Sequence, residues 1–330
     1  MKKLFFILLF STFIYAQPKF TGISSQPGAF SRLGFGARGM GMGNAMSAIT
    51  DGNLVSYYNP ALAVFQEQSS FQTSYSILSL DRKLNFVNFT KRFDFYGDGE
   101  EEASLPPRSS SGISLGLINA GVSNIDGRDE SGNPTGALST TENQFFFAFA
   151  NRFSERVAVG VAIKYYYYKL FEGFKSTGIG LDVGAIYKLN SQINISFVIT
   201  DIESKYKWDS SEILVSEGSS YEDKFPVLKK IGVSYKNEQL HLIGGLEFEN
   251  SNAGTNIIRA GAEVNVIDQL YLRGGIDQLN LSNSDFPIRP SLGLSFFKAF
   301  GGWLIGVDYA YVFEKYSPED RHIIGVNVRF

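Results

Sequence analysis

From about residue 66 to Phe330 the chain repeats one pattern, apolar side chains at every second position in segments of roughly ten residues separated by turn formers. Val157, Val159, Val161, Ile163, Tyr165 and Tyr167 share one face of such a segment, and Ala158, Gly160, Ala162, Lys164 and Tyr166 share the other. Ile179 to Leu189, Ile258 to Val266 and Trp303 to Phe313 repeat the arrangement. A period of two belongs to strands, whose successive side chains point to opposite faces, and a helix cannot use it. Segments near 68–79, 82–95, 111–122, 142–153, 155–170, 175–190, 191–202, 225–236, 239–250, 255–266, 269–277, 288–299, 302–314 and 320–330 give about fourteen strands. Each approaches the 9–11 residues with which a tilted strand crosses a bilayer.

A secreted β-sandwich also alternates, but its strands are shorter and its outward face is polar. Here Tyr165, Tyr167, Tyr187, Tyr235, Tyr271, Trp303, Tyr309 and Tyr311 cluster near segment ends, as interfacial girdles do. Connections alternate in length. Those near Ser154, Asn190, Asn237, Ile267-Asp268 and Phe300-Gly301 are short, whereas 123–141, 203–224 and 278–287 are long, polar and expected as outer loops. The 96–110 connection, with Glu100–Glu102 and Pro106-Pro107, breaks this rule. An even strand count with both ends on one side, closed by an aromatic terminal residue, predicts an all-β transmembrane barrel of the outer membrane, bathed in its lipid.

The beginning of the chain agrees. Lys2 and Lys3, the apolar run Leu4–Ile14 and the small residue Ala16 read as a cleaved export signal over 1–16. That run is shorter than the ~20 residues of a membrane helix. No cysteine is present, so disulfides, thiolate metal sites and lipid attachment at cysteine are excluded. A formal net charge of −3 argues against nucleic acid as a partner. The two histidines, His241 and His322, fall at opposite strand ends without a nucleophile motif, so no enzyme, metal or cofactor is expected.

Between signal and strands lies a glycine-dense block, Gly34–Ala61. Gly34-Phe35-Gly36-Ala37-Arg38-Gly39 matches the dinucleotide-binding G-x-G-x-x-G, but neither the preceding strand nor the βαβ frame that gives the match meaning is present. Met40, Met42 and Met46 suit an irregular packing space, and Ala45–Ile49 is expected to form a short helix. The run Ala37–Ala45, then Asp51, then Tyr57-Tyr58-Asn59-Pro60-Ala61, resembles the N-terminal signature of the PorV/PorQ family, relatives of the FadL-type channels. That resemblance implies a fourteen-stranded barrel (66–330) whose N-terminal segment (17–65) folds inward as a plug, marked by Arg38, Gly39, Gly41, Gly43, Asn59, Pro60 and Ala61. It also implies a function: protein secretion of the type IX kind, in which the barrel binds exported cargo proteins or secretion components. The alternative, from the FadL side, is passive transport of a hydrophobic small molecule such as a fatty acid.

Alternation places Lys164, Asp182, Lys188, Arg259, Glu263, Arg273, Asp277 and Asp308 on the lumen face. Both signs on neighbouring strands suggest an ion-pair lattice holding the plug, with Arg38 as tether, rather than a selectivity filter. Gly112, Gly116 and Gly121 interrupt the third strand. They mark either a lateral opening of the wall, as in the FadL group, or ordinary glycines in a chain that has 34.

Overall fold

A computed structural model describes residues 22–96, 107–171, 174–211 and 218–330. The expected export signal at 1–16 and most of the 96–110 connection lie outside these residues. The strands are β1 (Ser70–Ile77), β2 (Arg82–Phe95), β3 (Ser109–Arg128), β4 (Pro134–Arg152), β5 (Val157–Phe171), β6 (Phe174–Lys188) and β7 (Ile193–Ile202). A short hairpin, β8 (Lys205–Asp209) with β9 (Ser220–Lys224), precedes β10 (Leu228–Asn237), β11 (Leu242–Ser251), β12 (Asn256–Ile267) and β13 (Leu270–Asn280). The series ends with β14 (Arg289–Phe300), β15 (Trp303–Val312) and β16 (Arg321–Arg329).

Fourteen of these strands close into one antiparallel barrel. Each pairs with its neighbour in sequence, β7 pairs with β10 across the hairpin, and β16 returns to β1 with Tyr75 opposite Ile324. Closure leaves no unpaired edge, the condition a sheet must meet inside hydrocarbon. Burial follows the sequence parity. Phe145, Phe147 and Phe149 are about 45 % exposed on the outer face of β4, whereas Phe146, Ala148 and Ala150, which alternate with them, are buried. Such a row would be a liability in water and is the normal lining against lipid. Trp303 and Phe330 stack at the rim, their ring centroids 5.1 Å apart.

The two mouths differ. At the end where β1 begins, β4–β5, β6–β7, β10–β11, β12–β13 and β14–β15 are joined by tight turns, as on a periplasmic side. The opposite, far end carries the irregular connections. Three expectations change there and inside. Residues 123–141 are not a loop, because β3 and β4 run on as a hairpin to Arg128 and Pro134. Residues 203–224 are largely the β8–β9 hairpin. Among the described residues the one α-helix, α1, is Gly36–Gly41, so the expected helix at Ala45–Ile49 is replaced by turns.

Candidate functional site

Residues 28–65 run through the interior of the barrel. Gly22 lies against the carbonyl of Ala253 at the far end, and the segment reaches the opposite end before β1 starts. It touches every one of the fourteen strands. Leu54 O accepts from Gln72 (β1) and, at 3.5 Å, from Thr90 (β2). Phe35 packs on Phe146 of β4, and the Ala63 backbone lies on Gly112 of β3. Pro60 and Ala61 lie on Gly160 of β5, and Asn59 on Gly184 of β6. Ser47 bonds Ser196 of β7, and Ala48 O accepts from Ser234 of β10. Ala45, Met42 and Gly43 press on Gly245, Gly261 and Gly275 of β11, β12 and β13. Gly41 contacts β14 and β15, and Met40 lies near Arg321 of β16.

Wall glycines make this fit possible. A Cβ on Gly261 would lie 2.1 Å from the Met42 carbonyl oxygen, and one on Gly160 2.5 Å from the Ala61 nitrogen. Both figures are far inside contact distance, so the backbone of the segment occupies space that any side chain would take. Asn59 fixes its end of the fit. Its Oδ1 accepts from Ala61 N (3.0 Å), and its Nδ2 donates to Ser47 O (2.9 Å) and Ala185 O (3.3 Å). Pro60 then opens a 3-10 turn, Pro60–Phe65, where its missing N–H costs nothing. The Tyr58 hydroxyl accepts from Phe35 N and reaches Asn44 Oδ1, both at 2.8 Å. Burial raises that phenol well above its ordinary range.

The lumen charges form three groups. In the first, Arg38 grips Glu263 with two bonds, Nε to Oε2 (2.9 Å) and Nη2 to Oε1 (2.8 Å). Its Nη1 donates to the carbonyls of Asp51 and Asn53. Arg273 shares Glu263 and, through the Ser295 hydroxyl, leads to Asp308, which also receives Asn327. In the second group, Arg259 pairs with Asp277 (2.7 Å), Glu249 (3.0 Å) and Glu247 (3.3 Å), and Asn44 of the segment donates to Asp277. Lys230 completes it. In the third, Lys164 lies 2.7 Å from Asp182 and 3.1 Å from Asp201, and Tyr166 donates to Asp201.

Arg38, Glu263, Arg273 and Asp308 are therefore brought together, while Arg259 and the Lys164–Asp182 pair stand in separate clusters. Lys188 joins none and caps the Phe65 ring. Sequence parity missed Glu247 and Glu249, although both alternate with Leu246 and Phe248 and were open to the same argument. Asp201 was hidden by a bulge: the β6–β7 register slips there, its φ is +62°, and the side chain turns inward against parity.

Gly112, Gly116 and Gly121 lie in a strand paired on both sides without interruption from Ser110 to Val122. Gly112 seats the 3-10 turn, Gly116 faces the Phe146 ring, and the register slips only beyond them, between Val122 and Ile125 and again between Gly127 and Arg128.

At the far end the β8–β9 hairpin folds over β5 and β6 and builds an aromatic nest. Phe174 stacks on Trp208 (4.9 Å), Tyr168 meets Trp208 edge-on (5.3 Å), and Phe225 lies between Tyr166 and Tyr206. Below it a cavity of about 20 Å³, edged by Arg32, Tyr57 and Lys164, has room for about one water.

This geometry has counterparts among solved structures. The chain resembles the toluene transporter TbuX of Ralstonia pickettii (14 % identity, TM-score 0.59), with 90 % of this chain and 98 % of that one covered. It is similar to the toluene transporter TodX of P. putida (11 %, 0.57), over 90 % and 96 % of the two chains. A FadL homologue from Pseudomonas aeruginosa (10 %, 0.56) is matched over 90 % and 98 %. At these identities the likeness establishes the fold, a FadL-like outer-membrane barrel. No protein-family model matches the chain, and no curated protein does.

Proposed function

We propose that this chain is an outer-membrane channel that admits small hydrophobic compounds passively, plugged at rest by its N-terminal segment. The observation that carries the reading is the pairing of a FadL-like barrel with a segment that fits all fourteen strands from within. An open water-filled porin has no use for such a segment. The aromatic nest under the β8–β9 hairpin lies at the far mouth, and its half-buried rings Tyr168 and Phe174 suit a monoaromatic guest that displaces the buried Trp208 ring. Two of the matched structures transport toluene, which makes that solute the first to try.

In this reading Arg38 tethers the plug through Glu263, and Asn59–Ala61 anchor its second half on the glycines of β5 and β6. A solute leaves either past a displaced plug or sideways through the wall. Gly112, Gly116 and Gly121 mark a lateral opening only if the ladder around them parts, so crosslinking β3 to β4 there should abolish uptake on the second route and spare it on the first. The three structures named above are toluene transporters and a FadL homologue, and they lend no support to the secretion role implied by the PorV/PorQ resemblance. The residues that carry the resemblance are spent on packing inside the barrel.

The test is uptake of labelled toluene by proteoliposomes containing the full chain, with Trp208→Ala alongside. Faster entry than into empty vesicles, lowered several-fold by Trp208→Ala, supports the proposal. Entry no faster than into empty vesicles, together with capture of exported proteins from native outer membrane, would return the assignment to secretion.

A further inference from the structure

On the outside of the wall, β5 and β6 carry a column of side chains whose character changes with depth. Their register sets Tyr165 opposite Ile179, then Tyr167 opposite Thr177 and, nearest the far end, Lys169 opposite Lys175. Tyr165 and Ile179 are exposed, and the other four share their parity, so all six point away from the lumen. Successive pairs stand about 7 Å apart along the strands. Moving outward, the column therefore runs from an apolar pair through a pair of hydroxyls to a pair of ammoniums. A lipid has the same order from acyl chain to headgroup, with the opposite charge at its end.

The lysine pair is uncompensated. Like charges directly opposite one another on a sheet oppose the pairing of their strands. Among the described residues no side chain or carbonyl bonds either ammonium, and the hydroxyls of Tyr167 and Thr177 are equally without partners. The carboxylates of Asp182, Glu247, Glu249 and Glu263 are spent on ion pairs inside the lumen. Lys207 of β8 stands opposite Thr177 and adds a third positive charge. Its one acidic neighbour is Glu222, 4.0 Å away and already held by Lys205 at 2.7 Å.

We propose that Lys169 and Lys175 seat the phosphate of an anionic lipid in the outer leaflet, with Lys207 as the third cation. Tyr167 and Thr177 donate to its ester oxygens, and an acyl chain lies along Tyr165 and Ile179. Lysine meets phosphate as a point charge on a flexible stem, so several ammoniums can share one headgroup. A free phosphate would satisfy the lysines and leave the apolar end of the column unused, which is why the occupant is a lipid. The seat is on the outer surface and holds whether or not the chain carries toluene through its interior.

The experiment is native mass spectrometry of the full chain in a non-ionic detergent, titrated with phosphatidic acid, phosphatidylcholine and inorganic phosphate. Phosphatidic acid should bind about tenfold tighter than phosphatidylcholine, and inorganic phosphate should not displace it. Lys169→Gln and Lys175→Gln break no ion pair, and each should weaken phosphatidic acid about fivefold, the share of one lysine beside an anionic headgroup. Phosphatidylcholine should be unaffected, and Lys169→Arg should keep most of the preference. Lys229→Gln is the control: that exposed lysine lies on the outer face of β10 at the same end, opposite Ile199 and Asn250 rather than a second cation. It should change neither lipid. Equal binding of the two lipids, or an equal loss on Lys229→Gln, overturns the assignment. Displacement by inorganic phosphate overturns it too, by giving the lysines to a soluble anion.

Discussion

Replacing Arg38 with alanine removes four hydrogen bonds at once, two to Glu263 and one each to the carbonyls of Asp51 and Asn53. Breaking a buried ion pair costs about 3–5 kcal/mol when the surviving charge is left alone. Glu263 is not left alone, since Arg273 still holds it. The lower end of that range, about 3 kcal/mol, is therefore the fair figure. Two carbonyls lose their donors at about 1 kcal/mol each, the low end for a buried acceptor because the vacated space admits water. The sum, about 5 kcal/mol, falls on the local equilibrium between seated and unseated inner segment rather than on the barrel ladder. At about 1.4 kcal/mol per factor of ten, opening should become more frequent by about three and a half powers of ten. Hydrogen exchange followed by mass spectrometry on the reconstituted protein reads this directly. Peptides covering 36–58 should lose protection while those from β4 and β5 keep it. Arg38→Lys should fall between, because an ammonium keeps the charge and loses the fork. Protection of 36–58 within threefold of the parent would refute the tether, and with it the view that this ion pair holds the segment.

Other substitutions probe the same fit. Gly261→Ala places a Cβ 2.1 Å from Met42 O and should cost about 1–3 kcal/mol by overpacking, whereas Gly302→Ala meets nothing within 4 Å and should leave the melting temperature unchanged. Asn59→Ala removes three buried hydrogen bonds and should lower protection of 59–65 by an amount near 3 kcal/mol, with little effect at Arg38. Phe330→Ala deletes the stack on Trp303, worth about 1 kcal/mol, so heat-modifiable gel mobility should survive in folded protein while the yield of membrane-inserted barrel falls.

Much of the barrel was legible because one rule governs it. Lipid outside and a packed lumen inside force a period of two on every strand. Strand ends such as 82–95 and the inward setting of Lys164, Arg259 and Glu263 follow from counting alone. What the count misses is whatever breaks the period. Asp201 escaped because its bulge inverts parity, and the long β3–β4 hairpin escaped because its outer part, beyond the bilayer, has no apolar face to advertise it. The interior segment is harder still. Gly36–Gly41 is a poor helix former by propensity, and only the surrounding wall makes a helix the best way to fill that space. Nor can one strand announce its partners across the lumen. That Arg38 meets Glu263 rather than Asp308 depends on the register of the whole ring.

Chain order gives that meeting a further meaning. The ring is closed by β16 on β1, the last strand in sequence against the first. Glu263 and Asp277 lie late in the sequence, and Arg38 and Asn44, which they hold, lie near its start. In the finished ring the inner segment sits as a core sits in its mould, held by strands from both ends of the sequence. A variant whose first sixty-five residues arrive late, or as a separate peptide, must instead thread a finished cylinder with seats only a glycine wide. Such a chain should stall in assembly well before any solute is asked to cross it.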